Sequence, residues 1–246
     1  MQKNILVFLF LLSSVCRAQI VDLNSISQKR DGLKDTSVEV FYEATRYLVQ
    51  RDLSLNPFYN NTELGEKINE TPRNLFSHQL GIRVPISKFI SVDAGVSWIQ
   101  NGENYSFEDH QSDSSYSYTT CYRYFGLPVN IMASLPLNPK NEEILISIFL
   151  RGGGIPHLYQ SFLQKTEWTT TLGSKESEKI KSLDNPSSFM FSGHISSGLD
   201  LLSKTNWGVR IAVHYRHSLT NTFTKSGDYI HKPYGLGYSM SLTKKL

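Results

Sequence analysis

Histidine, carboxylate and cysteine are the side chains of this sequence with acid–base, metal or nucleophilic chemistry, and their spacing decides how far each reading goes. Asp109-His110, with Glu108 and Asp113 in the same stretch, forms an acid/base cluster. An outer-membrane protease needs such paired carboxylates and a histidine above its barrel mouth. Asp and His are also ordinary loop residues, so the cluster by itself assigns no catalysis. His110, His157 and His231 each lack a second histidine at ligand spacing. His214 and His217 are three apart on a segment that alternates like a strand, so they point to opposite faces. Gly152-Gly-Gly154 is followed by no Gly-Lys-Ser/Thr and is not a phosphate loop; glycines there admit a bend or close packing. Nothing around Cys121 favours a thiolate, and it reads as a packed or lipid-facing small residue. The expectation is an absence of catalytic residues, metal and cofactor.

A second set of charges is spaced for pairing rather than reaction. About the turn at Ser87-Lys88, Arg83 falls opposite Asp93, and about the turn at 203–206, Asp200 falls opposite Arg210. Opposite charges across a strand pair stabilise a sheet modestly, whereas an unpaired charge in a closed lumen is costly. Glu39, Glu43, Arg123, Arg151, His214 and Arg216 are expected to complete an interior network that plugs and rigidifies a barrel. The sharper alternative is a proton or ion path.

The elements that must position these residues show a period of two. In Trp207 to Leu219 the odd positions are Trp207, Val209, Ile211, Val213, Tyr215 and Leu219, with His217 the exception, against Gly208, Arg210, Ala212, His214, Arg216 and Ser218. Tyr234 to Leu242 and Ile90 to Trp98 alternate likewise. Such segments predict eight strands near 36–49, 76–86, 89–101, 116–135, 143–161, 189–202, 207–219 and 233–244. A bulge is expected around Gly126-Leu-Pro128 to accommodate the proline. The connections at 87–88, 136–142 and 203–206 are short, while 50–75, 102–115, 162–188 and 220–232 are long. Strict alternation of short and long is the pattern of a membrane barrel with short periplasmic turns and long outside loops.

Composition agrees. The chain has 246 residues, 39% of them hydrophobic, with 13 Tyr and 13 Phe, which is too apolar and aromatic for disorder. Lys and Arg number 25 against 22 Asp and Glu, a near balance that excludes a polybasic nucleic-acid binder. Met1-Gln-Lys3, the apolar Ile5–Leu12 and the small Ala18 predict an export signal over 1–18, cleaved before Gln19; the rival is a lipoprotein signal ending at Cys16. Residues 19–35 read as a polar periplasmic tail and 36–246 as the barrel domain. Two cysteines, one of them inside the leader, exclude an intrachain disulfide in the mature chain.

A soluble ligand-binding barrel would show the same alternation with its faces exchanged, so the composition of the polar face decides. That face is mostly Gly, Ser and Ala, which suits the narrow interior of an eight-stranded barrel rather than a solvated surface. Trp98, Trp207, Tyr215 and Tyr234 end the apolar face as interfacial girdles do. The fold class is therefore all-β, an eight-stranded antiparallel up-and-down transmembrane β-barrel with both termini periplasmic.

The stretch Gly81 to Gly95 followed by Trp98-Ile-Gln-Asn-Gly102, together with Tyr124-Phe-Gly-Leu-Pro-Val-Asn130 and Leu150-Arg-Gly-Gly-Gly154 before Tyr159, resembles the PorT-like outer-membrane β-barrel domain family. Gly126 departs from that pattern, in which a polar residue is commoner. The resemblance implies an eight-stranded outer-membrane barrel, with secretion or surface attachment as the role of some members, and carries over no catalytic residue. The expected function is non-enzymatic: an anchor or interaction protein, with outer-membrane lipid around it and a protein partner at its extracellular loops. Asn56 to Asn61 and the aromatics Tyr105, Phe107, Tyr116 and Tyr118 are the recognition candidates. The alternatives are a narrow channel or small-solute carrier, a barrel enzyme, and a soluble periplasmic ligand binder.

Overall fold

A computed structural model describes residues 37–55, 69–109, 114–138, 143–170, 172–183, 185–224 and 229–246. The leader and tail expected over 1–35 lie outside the described residues, as do His110, Asp113 and Asn56 to Asn61. The strands are β1 (Glu39–Leu55), β2 (Glu70–Pro85), β3 (Ile90–Asn101), β4 (Glu103–Asp109), β5 (Ser114–Gly126), β6 (Val129–Pro136), β7 (Ile144–Thr169), β8 (Lys175–Ile180), β9 (Phe189–Ser203), β10 (Trp207–Ser218) and β11 (Tyr229–Lys245). β4 continues β3 past Gly102, β6 continues β5 past Leu127-Pro128, and β8 and β9 lie along the same side of β7. The eleven segments therefore make eight staves, each antiparallel to its neighbours. β11 pairs with β1 from Glu39↔Lys245 to Leu55↔Tyr229 and closes the ring. Closure leaves the ring without an edge, which is what a sheet needs where no water can satisfy its backbone.

The register measures the barrel. Val49 of β1 pairs with Gly235, and successive partners around the ring are Arg216, His194, Gly153, Asn130, Asp93, Arg83 and finally Glu39, ten residues before the start. With about 3.3 Å per residue and about 4.8 Å between staves, that stagger tilts the strands by about 40°. At this tilt roughly 9–11 residues cross an apolar band of about 25 Å.

The two faces are those of a membrane barrel. Ile131, Leu236, Ile211 and Val213 are each more than half exposed on the outside, while Arg151 and Arg210 are 0% exposed on the inside. A soluble barrel would bury the first set and expose the second. The exposed apolar residues span Tyr42–Leu48 on β1, Phe76–Val84 on β2, Ile211–Tyr215 on β10 and Leu236–Leu242 on β11, one band around the ring.

Two details differ from the sequence reading. The staves run well past the predicted strands on the long-connection side: β4, the end of β7 and β8 occupy residues expected to be loop, and β5 begins two residues before its predicted start. No register shift occurs at Pro128, since Ser97↔Gly126 and Ala94↔Val129 belong to one register; Gly95 N donates to the Pro128 carbonyl at 3.2 Å. The irregularity sits instead opposite Arg123 and Tyr124, where Gln160 of β7 is the extra residue. The glycine run serves the close packing expected of it: a Cβ on Gly153 would collide with the Val129 carbonyl oxygen, where β6 and β7 approach.

Candidate functional site

The lumen is built by the inward residue of each pleat. Glu39 and Glu43 of β1, Arg83 of β2, Asp93 of β3, Arg151 of β7, Asp200 of β9 and Arg210 of β10 meet in its lower half, at the end bearing the short turns. Arg83 and Asp93 are register partners, as are Asp200 and Arg210, with N···O distances of 3.6 and 2.8 Å. Glu39 Oε1 accepts from Arg83 Nη1 at 2.7 Å and from Arg210 Nη2 at 3.0 Å, tying the two pairs together. Arg151 reaches across the lumen, its Nη2 2.9 Å from both oxygens of Glu43, and its Nε donates to Ser196 Oγ at 3.0 Å. Ser241 Oγ donates to Glu43 Oε2 at 2.9 Å. The Arg83 and Arg210 guanidiniums also lie over Phe41 and Phe149, at 5.5 and 5.2 Å.

Above this cluster a chain of hydrogen-bonding side chains continues up the lumen. His214 lies 2.5 Å from Ser239 Oγ and, at its other nitrogen, 2.9 Å from His194. His194 leads at 3.4 Å to Asn130, whose amide donates to Asp93 at 2.7 Å. Arg216 donates to the Gln100 carbonyl and to Asn101 Oδ1 at 3.1 and 2.6 Å, and stacks 4.5 Å over Tyr47. The void lined by Glu43, Tyr47, Gln79, His194 and Arg216 has a volume of about 20 Å³, room for about one water. Four carboxylates (Glu39, Glu43, Asp93, Asp200) thus share the lumen with four guanidiniums (Arg83, Arg151, Arg210, Arg216), of which Arg151 and Arg210 are wholly buried.

Arg123 is a correction. It lies on the face of β5 opposite the buried Tyr122 and Tyr124, and no ion pair joins it to the lumen cluster among the described residues. Two lumen-filling tyrosines set the phase there, against the rule that aromatics point outward. His194 and Asn130 were not singled out from sequence as lumen residues, and His157 (2.7 Å from Ser192 Oγ) was weighed there only as a metal ligand, although each holds the inward parity of its strand.

A second cluster lies beyond the apolar band on the long-connection side. Arg51 Nε donates to both oxygens of Glu70 at 3.0 Å, Nη2 donates to Tyr118 Oη at 3.1 Å, and Nη1 lies 3.4 Å from Glu103. Burial pushes the Tyr118 phenol up to about 12, so it stays neutral beside the guanidinium. Arg51 lies past the predicted end of its strand and Glu103 just past the break at Gly102, which hid both.

From this cluster β4, β5, β7 and β8 continue as a sheet. One of its faces carries Tyr105, Phe107, Tyr116, Tyr118 and Trp168, brought together by the pairs Tyr105↔Tyr118, Phe107↔Tyr116 and Tyr116↔Trp168. Tyr105 stacks on Tyr118 at 5.0 Å, and Phe107 and Tyr116 remain 42% and 41% exposed. The opposite face presents Ser115, Ser117, Thr119, Lys165 and Glu167. Asp109 ends β4 opposite Ser114, on the opposite face from Glu108, so the two described acids of the sequence's cluster lie on different faces.

The outward aromatics fall at both ends of the band. Trp207 follows the short turn, with the Lys244 ammonium 4.9 Å over its ring, while Trp98, Tyr215 and Tyr234 lie toward the long connections. Tyr234 Oη donates to Gln50 Oε1 at 2.6 Å.

No family model matches the chain, and no curated protein matches it. Solved structures similar to it include neisserial surface protein A (10% identity, 83% of this chain and 96% of that one, TM-score 0.39). The N-terminal β-barrel domain of Pseudomonas aeruginosa OprF aligns at 8% identity over 85% and 98% of the two chains, with a TM-score of 0.38. The attachment invasion locus protein of Yersinia pestis, in complex with sucrose octasulfate, aligns at 16% identity over 84% and 97%, with a TM-score of 0.28. Likenesses this distant decide nothing about this chain; its own closed ring does.

Proposed function

We propose that this chain is a non-enzymatic protein of the bacterial outer membrane, of the PorT-like barrel kind, that anchors a recognition surface outside the cell. Both termini of the barrel would lie in the periplasm, with the short turns. The observation that carries the reading is the sheet of β4, β5, β7 and β8, which continues the wall past the apolar band and collects five aromatic side chains on one face. Half-exposed aromatics on a rigid sheet offer large contact area at little cost in conformational entropy, as recognition surfaces do. Surface attachment or a secretion assembly fits such an anchor. The filled lumen, with Arg151 and Arg210 wholly buried, weighs against the channel alternative.

The test is a comparison of cells displaying the wild-type chain with cells displaying Tyr105→Ala/Tyr116→Ala/Trp168→Ala, for adhesion to surfaces coated with protein, glycan or other cells. The triple variant should lose the wild-type attachment while keeping its folded, heat-sensitive gel mobility. Equal attachment by both, or none by either, contradicts the reading.

A further inference from the structure

Inside the apolar band the outward face is interrupted by a polar group shared between β1 and β2. Arg46 and His78 both point outward and are exposed, between Tyr42, Leu48, Phe76 and Leu80. His78 Nδ1 lies 2.8 Å from Tyr42 Oη, and the two rings stack. Arg46 Nε donates to Asn74 Oδ1 at 3.2 Å and Nη1 donates to Tyr238 Oη at 3.2 Å. Both partners are neutral, and among the described residues no carboxylate pairs with this guanidinium and Nη2 donates to nothing. Asn74 is the register partner of Leu48, two residues nearer the long connections than Arg46 itself. The side chain is therefore drawn toward the edge of the band on that side, as a long cation does when its stem is in hydrocarbon and its head seeks the interface.

A cation held at that depth by neutral groups still lacks a countercharge, in contrast to every lumen guanidinium of the lower cluster, which has a carboxylate. The fork of an Arg side chain suits a tetrahedral oxyanion, with the Tyr238 hydroxyl and the Asn74 amide beside it as further donors. We propose that Arg46, with Asn74 and Tyr238, binds the phosphate of a lipid headgroup in the leaflet on the long-connection side. The site rests on the membrane reading of the barrel but not on the recognition sheet.

Trp98 reports on it. Trp98 is the register partner of His78 and shares the outward face, whereas Trp168 stands beyond the band. The full chain, carrying Trp207→Phe, is folded into vesicles of phosphatidylcholine in which one lipid in five is phosphatidic acid, with brominated chains on one or the other lipid. Fluorescence quenching then gives the preference for phosphatidic acid over phosphatidylcholine at Trp98. The expected result is a several-fold preference that falls to none with Arg46→Gln, partly returns with Arg46→Lys, and survives inorganic phosphate in the buffer. An equal preference in Arg46→Gln, or none in either protein, overturns the site. Loss of the preference on adding inorganic phosphate overturns the lipid as its source. The gel mobility of each unboiled sample is read in parallel, so that failure of the barrel to fold into vesicles is recognised as failure of the membrane reading.

Discussion

Arg151→Met tests whether the lumen is a closed polar core or a hydrated bore. Its guanidinium is 0% exposed and grips both oxygens of Glu43, itself 3% exposed, at 2.9 Å. At that separation the attraction is about 6 kcal/mol with an effective dielectric constant near 20, and the desolvation of both groups offsets much of it. Removing Arg151 leaves Glu43 with the Ser241 hydroxyl as its one hydrogen-bond partner among the described residues, so the variant should be less stable by about 3–5 kcal/mol, the cost of a buried charge that has lost its ion-pair partner. Glu43→Gln should cost less, about 2–3 kcal/mol, because Asp93 still lies 3.8 Å from Arg151 and the amide keeps a hydrogen bond. The double variant strands no charge at this position and should fall short of the sum of the two by at least about 2 kcal/mol. Denaturant unfolding of the four proteins in lipid vesicles, followed by tryptophan fluorescence and unboiled gel mobility, measures the cycle. If each single change costs under about 1 kcal/mol and the costs add, the pair is solvated and the filled-lumen account is wrong.

Two further outcomes probe the wall. With Cys121 replaced by Ser, Ala44→Cys and Met240→Cys are register partners across the β1–β11 closure and should form a disulfide on mild oxidation. Ala44→Cys with Leu236→Cys, four residues out of register, should not, and the reverse pattern would mean an open or shifted seam. Gly153→Val forces a side chain into the Val129 carbonyl and should lower stability by more than about 2 kcal/mol or prevent folding; a neutral substitution would show that β6 and β7 do not approach as described.

What could be read from the residues follows from where the two faces differ. Ile90 to Trp98 declared its strand because lipid on one side and a narrow lumen on the other demand unlike side chains. The pairs Arg83–Asp93 and Asp200–Arg210 were legible because each spans a short turn that fixes the register. The bond from Glu43 to Arg151 was not, since it crosses the bore between strands 108 residues apart. Beyond the band the apolar face gives way: in β4 Tyr105 and Phe107 alternate with Asn104, Ser106 and Glu108 between acidic ends, so this strand looked like loop although its aromatics were noticed. Arg123 was misplaced because a bulge expected at Gly126-Leu-Pro128 would reverse the phase of the residues before it, and Tyr122 and Tyr124, turned inward, reverse the usual meaning of an aromatic. Arg46 and His78 escaped notice because each is a single polar residue within an otherwise regular apolar face.

The central claim is a closed barrel whose apolar band lies in a membrane. Gel mobility of the protein in an isolated outer-membrane fraction, with and without boiling, tests it most directly, because a closed sheet resists detergent until heated. Recovery in that fraction with a different apparent size before boiling is the predicted result. Recovery in the aqueous fraction, with no change of mobility on boiling, would contradict it.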